Sequence, residues 1–226
     1  NAGHEVKLFD TTFMNSDDNQ DNSKREEAGL VKPVTVDNYF NKKSTTEIES
    51  DWIKFVEDFQ PDLIALSTTE DMWLLGVRML DEIREFITRH KTPVIVGGGF
   101  PTFAPELVIK HDLVDMVCLG EGENTMIDLC DRIEKGNSWD DVTNIWAKKK
   151  DGSLIKNPIS NSFEINDTPI IDIDLFEEQR LYRPMSGNWY KMMPVETIRG
   201  CPYKCTFCNS PDQVTLYDNE TDSRFF

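Results

Sequence analysis

Apolar runs of strand length alternate with segments of helical periodicity over residues 60–135. The runs Asp62–Ser67, Pro93–Gly97 and Asp115–Gly120 are nearly continuous in apolar residues, which is typical of parallel strands that are covered on both faces. A shorter run, Val6–Phe9, predicts another strand near the start of the chain. This alternation predicts an α/β architecture in which helical crossovers connect the strands of a parallel sheet.

Apolar residues at helical spacing predict four helices. These helices cover Glu47–Phe59, Met72–Arg89, Ala104–Lys110 and Asn124–Lys135. The segment from residue 15 to residue 46 is mostly polar and has no such spacing. It predicts a solvated and partly mobile insertion between the first strand and the first of these helices.

The pattern changes after residue 140. Asp151-Gly152 is a strong turn signal, and it predicts a hairpin that pairs Asn144–Lys149 with Ser153–Lys156. Residues 157–190 contain scattered acids and prolines without long periodicity, which is typical of a connector. We expect a second domain to begin near Met193.

Length and charge exclude several functions. The 226 residues suffice for one large domain or for one domain and part of another. The 41 acidic residues outnumber the 24 basic ones, and the net charge of −17 argues against nucleic acid or an anionic membrane as a partner. No stretch has the length and apolarity of a membrane span, and the first residues do not predict a signal peptide. We expect a soluble, cytoplasmic protein, and we expect both ends of the chain to be truncations.

Three of the five cysteines, Cys201, Cys205 and Cys208, have the spacing C-x3-C-x2-C. An odd number of cysteines with one tight cluster disfavours disulfides and favours a metal site. A structural zinc site would need a fourth Cys or His nearby. Three thiolates suit a [4Fe–4S] cluster in which one iron is open to a non-protein ligand. A zinc loop that a C-terminal part beyond residue 226 would complete and an electron-transfer cluster remain alternatives, while Cys118 and Cys130 are expected to be small buried residues.

The segment Thr197–Cys208 resembles the signature loop of radical S-adenosylmethionine enzymes, including the Arg-Gly before the first cysteine and the aromatic residue before the third. The resemblance implies that the three cysteines ligate a [4Fe–4S] cluster and that its open iron binds S-adenosylmethionine. One electron from the cluster would cleave this cofactor to methionine and a 5′-deoxyadenosyl radical. Phe207 would lie near the adenine. Val195–Arg199 would form the first strand of a partial (β/α) barrel, with the cluster loop at its C-terminal end.

Small and polar residues follow the three predicted parallel strands. They are Ser67-Thr68-Thr69, Gly97-Gly98-Gly99 and Gly120-Glu121-Gly122-Glu123. Glycines at such positions permit a sharp turn and a close approach of a ligand. The glycine run at residues 97–99 is not a dinucleotide fingerprint, since residue 102 is Thr where that motif requires Gly. Ligands of open α/β sheets bind at the carboxyl ends of the strands, so these loops predict a ligand site, with plain tight turns as the alternative.

The order of these segments resembles the cobalamin-binding domain that precedes the barrel in one large class of radical S-adenosylmethionine enzymes. The segments that carry the resemblance are Val6–Asp10, Pro61–Ser67, Val94–Gly99, Gly120–Glu123 and the acidic linker Asp167–Phe176. The resemblance implies a flavodoxin-like, doubly wound fold. It also implies that cobalamin is bound by Ser67, Thr68, Thr69, Gly97, Gly98, Gly99, Gly120 and Glu121. His4, His90 and His111 are not expected to ligate cobalt.

The resemblance divides the chain into three regions. Residues 1–140 would be a cobalamin-binding-like Rossmann domain without its first strand, residues 141–192 a hairpin and linker, and residues 193–226 the start of a radical S-adenosylmethionine domain. We expect this chain by itself to be inactive, and no residue is assigned a catalytic role.

The resemblance also predicts the reaction. We expect cobalamin-dependent methylation of a small-molecule substrate under anaerobic conditions, with an electron donor such as flavodoxin or ferredoxin. An anaerobic oxidative cyclase of the same architecture and a non-catalytic corrinoid-binding protein with a structural metal loop are the alternatives. A methylthio-transferring enzyme is disfavoured, because its N-terminal domain would hold three more cluster cysteines.

Overall fold

The computed structural model describes most of the chain, namely residues 2–11, 20–30, 43–149, 151–186 and 188–221. The chain divides into two compact units. The first unit comprises the described residues within Asn1–His4, Gln60–Pro169 and Glu196–Phe226, and the second those within Glu5–Phe59 and Ile170–Val195. The first unit contains both the predicted glycine loops and the three clustered cysteines.

A five-stranded sheet lies in the first unit, with its strands in the order β1-β2-β3-β4-β5. The strands are β1 Ile64–Ser67, β2 Val94–Gly97, β3 Met116–Cys118, β4 Ile145–Lys148 and β5 Leu154–Lys156. The first three are parallel, with Ser67 paired with Gly97 and Val96 with Val117. The α/β class and the three strands predicted between residues 62 and 120 are therefore confirmed.

Eight α-helices lie in the described part of the chain. They are α1 Gln20–Glu27, α2 Thr45–Phe59, α3 Trp73–Glu82, α4 Arg84–His90, α5 Gly99–Phe103, α6 Pro105–Val108, α7 Glu123–Glu134 and α8 Ser210–Glu220. The helices predicted at Glu47–Phe59 and Asn124–Lys135 correspond to α2 and α7. The polar insertion predicted over residues 15–46 contains α1, while its parts at 15–19 and 31–42 lie outside the described residues.

The single helix predicted at Met72–Arg89 is wrong, because α3 and α4 are separated at Ile83. This residue has φ −105° and ψ 15° and lies between the two helices. The apolar spacing continues through the break, since Ile83 and Phe86 are both buried, at 2% and 3% exposure. Hydrophobic periodicity therefore gave no signal of the break. The helix predicted at Ala104–Lys110 is reduced to α6, and α5 precedes it directly after the glycine run.

The predicted hairpin around Asp151-Gly152 is confirmed, and it extends the sheet. β4 pairs antiparallel with β5, and β4 also pairs antiparallel with β3, with Cys118 opposite Ile145. Ile145 and Ala147 are buried while the alternate residues of β4 are partly exposed, as expected for a strand with one face on the core. The sheet is therefore mixed, with three parallel strands and an antiparallel hairpin at one edge.

The core of the first unit uses the residues that the apolar runs predicted. Val94, Ile95 and Val96 are at most 2% exposed, as expected for a strand covered on both faces. The buried cluster around Ile95 consists of Met116, Cys118, Leu129, Val142, Ile145 and Ala147. Burial raises the pKa of the Cys118 thiol to about 12, so this cysteine acts as a small, unreactive core residue.

The strand predicted at Val6–Phe9 is wrong. The segment forms no β-pairing among the residues that the structure describes. Phe9 instead packs on Trp52 and Phe55 of α2, with ring centroids 5.0 and 5.3 Å apart, while Val6 is 61% exposed. A short apolar run does not by itself distinguish a strand from a segment that packs its aromatic residue on a helix.

The predicted connector at 157–190 contains short regular elements. They are the 3₁₀ helices Ile165–Asp167, Ile173–Leu175 and Glu178–Leu181, and the antiparallel strands β6 Tyr182–Met185 and β7 Asn188–Lys191. The barrel strand expected at Val195–Arg199 is absent, since no described segment pairs with it. Among the described helices, none combines the length and the apolarity that crossing a membrane requires.

Candidate functional site

The three predicted loops lie at one edge of the sheet, because β1, β2 and β3 run in the same direction. The backbone N–H of Thr68 donates to the carbonyl of Gly97 at 3.0 Å, which continues the pairing of β1 and β2 beyond the last strand residue. The predicted gathering of these loops is thus confirmed. This edge, at the carboxyl ends of the parallel strands, is where open α/β sheets bind their ligands.

The three hydroxyl residues after β1 differ in exposure. Thr68 is 5% exposed, and its hydroxyl donates to the carbonyl of Thr69 at 2.9 Å. Ser67 and Thr69 are exposed, and the Thr69 hydroxyl donates to the Asp71 carboxylate. The hydroxyl of Ser67 lies 3.3 Å from the position that a Cβ at residue 98 would take. Ser67 therefore presents its hydroxyl beside the glycine loop.

The three consecutive glycines have different roles. Gly98 has φ 106° and ψ −170°, a conformation that only glycine readily adopts. A Cβ there would stand 2.7 Å from the carbonyl oxygen of Thr68. A Cβ on Gly97 would make an ordinary contact with Cys118 at 3.6 Å, and a Cβ on Gly99 would meet no atom within 4 Å. The fold requires Gly98, whereas Gly99 borders open space.

Thr102 connects two of the loops and was not identified from the sequence. Its side chain is buried, and its hydroxyl donates to the carbonyl of Gly98 at 2.8 Å. The same oxygen accepts a hydrogen bond from the backbone N–H of Gly120 at 3.1 Å. A threonine four residues after Gly98 is a local signal for the first contact. No sequence signal indicates the second contact, which joins residues 18 positions apart.

Glu121 makes hydrogen bonds to four other parts of the first unit. Its Oε1 accepts from the Arg199 guanidinium at 2.7 Å, and its Oε2 accepts from the backbone N–H of Phe163 at 2.6 Å. Its carbonyl accepts from the Asn144 side chain at 2.9 Å, and its N–H donates to the Tyr217 hydroxyl at 2.8 Å. These contacts hold the carboxylate in place. The cobalamin contact expected of Glu121 stays a prediction.

Arg199 lies two residues before the first clustered cysteine and faces three carboxylates. It contacts Glu196 at 2.9 Å, Glu121 at 2.7 Å and Glu123 at 2.6 Å. Hydrogen bonds to Glu196 and then to the other two carboxylates raise the pKa of the guanidinium, which therefore remains charged. A cleft of about 400 Å³ opens here between Gly120–Glu123 and the Arg199-Gly200 segment.

Tyr217 of α8 packs over Gly120. The tyrosine is 1% exposed, and burial raises the pKa of its phenol, which stays neutral at ordinary pH. Gly120 has φ +68°, and a Cβ there would collide with the Tyr217 hydroxyl and lie 3.1 Å from its ring carbon Cζ. No local sequence pattern indicates a role for Tyr217, since its partner lies 96 residues away in the chain.

The three clustered cysteines lie on the segment that leads into α8. Cys201 is half-buried, Cys205 and Cys208 are exposed, and none forms a disulfide. The backbone N–H of Ser210 donates to the Cys208 sulfur at 3.4 Å, and the Ser210 hydroxyl lies 3.4 Å from the same sulfur. These hydrogen bonds lower the pKa of Cys208. Because the thiolate is the form that binds metals, this donor set fits an iron–sulfur cluster.

Phe207, which was expected to lie near an adenine, is 92% exposed. Its ring is accessible to a ligand, and the adenine contact stays a prediction. Trp73 at the start of α3 lies 5.9 Å from the ring of Phe100, which follows the three glycines.

The three histidines have partners within the chain. His4 contacts Asp131 at 3.0 Å, His90 stacks on Phe86, and His111 meets Trp73 edge-on. The expectation that none of them ligates cobalt stays a prediction.

Comparison with known families and proteins is consistent with this geometry. The model of the B12 binding domain family matches residues 27–129 of the chain. That range includes β1, β2 and β3 and all three loops that follow them.

Several curated proteins are similar to this chain. An uncharacterized methyltransferase of Pyrococcus horikoshii is 29% identical over 166 residues, which cover 71% of this chain and 34% of that protein. The 4′-phospho-dehydrooxetanocin synthase of Priestia megaterium is 27% identical, over 77% of this chain and 24% of that protein. The anaerobic magnesium-protoporphyrin IX monomethyl ester cyclase of Rubrivivax gelatinosus is 24% identical, over 80% of this chain and 32% of that protein. The chain thus spans about a quarter to a third of the length of these relatives.

A solved structure provides a further comparison. The cobalamin-dependent S-adenosylmethionine radical enzyme OxsB, with aqua-cobalamin and S-adenosylmethionine bound, is 29% identical with a TM-score of 0.56. The match covers 71% of this chain and 21% of that one. The domain match, the relatives and this structure agree with the resemblance found in the sequence. Residues 27–129 match the B12 binding domain family, and the chain is similar to a cobalamin-dependent radical S-adenosylmethionine enzyme.

Proposed function

We propose that this chain supplies the cofactor-binding part of a cobalamin-dependent radical S-adenosylmethionine methyltransferase. The observation that carries the proposal is the ion pair between Arg199 and Glu121, at 2.7 Å. It joins the start of the three-cysteine segment to the loop that follows β3 of the B12-binding sheet. The proposed corrinoid site and the proposed cluster site would thereby belong to one compact unit, which contains both sets of residues.

The three thiolates of Cys201, Cys205 and Cys208 would hold the cluster and leave its fourth iron for the amine and carboxylate of S-adenosylmethionine. When bound, the cluster supplies the electron that cleaves S-adenosylmethionine to a 5′-deoxyadenosyl radical, which takes a hydrogen atom from the substrate, and cobalamin supplies the methyl group. Ser210 favours the thiolate form of Cys208 through its N–H and hydroxyl. The exposed ring of Phe207 is available to stack on the adenine.

The carboxyl edge of the sheet would hold cobalamin. Gly99 borders open space, and the exposed Ser67 hydroxyl lies beside the glycine loop, where it would meet the nucleotide tail. Gly98 and Thr102 would act indirectly, by keeping the loops after β1, β2 and β3 in register. We further propose a small-molecule substrate and a flavodoxin or ferredoxin as electron donor.

Methylation is favoured over ring closure because the Pyrococcus relative is named a methyltransferase. The alternative, oxidative cyclisation, is the reaction named for the Rubrivivax relative. The two reactions differ in their products from S-adenosylmethionine. Hydrogen abstraction, which both reactions require, releases 5′-deoxyadenosine. Only methylation also recharges cobalamin with a methyl group, and that step releases S-adenosylhomocysteine.

The test uses the whole natural protein, anaerobically reconstituted with iron, sulfide and aquacobalamin and reduced in the presence of S-adenosylmethionine. Mass spectrometry measures both products. We expect 5′-deoxyadenosine and S-adenosylhomocysteine, and neither product from a variant that lacks the three cysteines. 5′-Deoxyadenosine without S-adenosylhomocysteine would contradict the methyltransferase assignment. Absence of both would overturn the enzymatic proposal in favour of a corrinoid-binding protein with a structural metal loop.

A further inference from the structure

We propose that Gly120–Glu123, which we call the anchor loop, positions the three-cysteine segment by holding it on both sides. Arg199 contacts the anchor loop two residues before Cys201, and Tyr217 contacts it nine residues after Cys208. The inference rests on the proposed function in one respect, namely that the cysteine segment is the cluster loop. It assigns the Gly-Glu-Gly-Glu sequence a positioning role in place of, or in addition to, cobalamin contact.

The first attachment is electrostatic. Arg199 reaches two carboxylates of the anchor loop, Glu121 at 2.7 Å and Glu123 at 2.6 Å. The side chains are 21%, 9% and 33% exposed respectively, so the pairs are largely removed from solvent. Charged hydrogen bonds in such surroundings are short and directional. Removing one partner leaves a poorly solvated charge on the other, so the attachment is costly to break.

The second attachment is a packing contact with one hydrogen bond. Tyr217 is 1% exposed, and its hydroxyl accepts from the Glu121 N–H at 2.8 Å. Its ring lies over Gly120, where any Cβ would collide with it. The contact therefore needs both a tyrosine on α8 and a glycine at the first position of the anchor loop.

The anchor loop is itself held by residues outside the cysteine segment. The Phe163 N–H donates to Glu121 Oε2 at 2.6 Å, the Asn144 side chain donates to the Glu121 carbonyl at 2.9 Å, and Thr102 accepts from the Gly120 N–H at 3.1 Å. Arg199 and Tyr217 thus attach to a part of the sheet edge that is already positioned. The cysteines between them remain on the exposed side, with Cys205 and Cys208 exposed.

Glu196 provides a matched control. It contacts the same guanidinium at 2.9 Å, but it lies only three residues away on the same segment. A Glu196→Gln change neutralises one of the three carboxylates that face Arg199, and it leaves the contacts between the segment and the anchor loop in place. By contrast, Glu123→Gln and Tyr217→Phe remove one contact on each side, and Glu121→Gln neutralises the central carboxylate.

The test measures backbone hydrogen exchange of residues 199–217 in the chain without iron, so it does not depend on cluster formation. We expect exchange about tenfold faster in Glu121→Gln, which corresponds to the loss of one charged hydrogen bond, and at least as fast in the double variant Glu123→Gln/Tyr217→Phe, which loses one contact on each side. Exchange in β1 and β2 should be unchanged, which separates a local effect from global unfolding. In Glu196→Gln the segment should exchange as in the parent chain.

A second measurement addresses the cluster. After anaerobic reconstitution, iron should be lost to a chelator several-fold faster from the two anchor variants than from the parent chain or from Glu196→Gln. Unchanged exchange in both anchor variants, or equal acceleration in Glu196→Gln, would overturn the anchor. If no variant, including the parent, takes up a cluster, the proposed function fails while hydrogen exchange still decides the inference.

Discussion

The hydroxyl of Thr102 accepts a hydrogen bond from the backbone N–H of Gly120 at 3.1 Å. The same hydroxyl donates to the carbonyl of Gly98 at 2.8 Å. One buried side chain therefore links the loop after β2 to the loop after β3. The two loops meet because parallel strands end at the same edge, but their spacing is set by this contact.

Replacing Thr102 with Val should destabilise the chain by about 1–3 kcal/mol, because the Gly120 N–H loses its acceptor and the Gly98 carbonyl keeps only the backbone N–H of residue 102 as a donor. Urea denaturation measures the change. Thr102→Ser keeps the hydroxyl and should lose clearly less stability. A Val variant that is as stable as the parent chain, or more stable than the Ser variant, would mean that packing of the methyl group, rather than the hydrogen bonds, makes the residue important.

Gly98 and Gly99 should respond differently to the same substitution. Gly98→Ala forces a residue with a Cβ into a glycine-only conformation and places that Cβ 2.7 Å from the Thr68 carbonyl oxygen. The backbone conformation alone should cost about 1–3 kcal/mol. Gly99→Ala meets no atom within 4 Å and should leave the melting temperature nearly unchanged. Equal melting temperatures of the two variants would contradict the different surroundings that the structure gives Gly98 and Gly99.

A bulky residue at position 99 should affect ligand binding more than folding. Gly99→Trp fills the open space beside the glycine loop, and we expect at least a tenfold weaker affinity for aquacobalamin in an absorbance titration. Stability should change by no more than about 0.5 kcal/mol, as for most surface substitutions. Gly99→Ala is the control for size. Unaltered affinity in the Trp variant would place cobalamin elsewhere.

The thiols should differ in their reactivity with pH. Burial raises the pKa of Cys118 to about 12, so its alkylation at neutral pH should be slower than that of an ordinary thiol by on the order of a thousandfold. Contacts with Ser210 lower the pKa of Cys208, so its rate should rise at a lower pH than is usual for cysteine. Ser210→Ala should move that rise to higher pH. Peptide mass spectrometry after timed alkylation at several pH values follows each thiol, and an unshifted Cys208 profile in the Ser210 variant would refute the assigned cause.

The sequence predicted the elements that form the site well, because their signals are local. The continuous apolar runs of β1, β2 and β3 reflect strands buried on both faces. The Asp151-Gly152 pair predicts a turn, and Gly152 has the positive φ, +83°, that such a turn requires. The strand prediction at Val6–Phe9 is wrong because pairing with a neighbouring strand is not encoded locally. Phe9 packs on Trp52 and Phe55 instead.

Contacts between distant residues were beyond the reach of sequence patterns. The cysteine spacing and the Arg-Gly before it indicated a cluster loop, but nothing in that motif shows that Arg199 pairs with Glu121, 78 residues earlier. The Gly-Glu-Gly-Glu sequence indicated a turn at a strand end. It did not indicate that Tyr217 packs on its first glycine, because that contact depends on where α8 lies.

The most direct test of the account is the iron content and visible spectrum of the chain after anaerobic reconstitution. The parent chain and Cys130→Ala should each retain about four iron atoms and show a broad absorbance that bleaches on reduction, as expected of a [4Fe–4S] cluster. Most of the iron and most of the absorbance should be lost in each of the variants Cys201→Ala, Cys205→Ala and Cys208→Ala. Zinc retained in place of a reducible cluster, or iron uptake that does not depend on these three cysteines, would contradict the assignment.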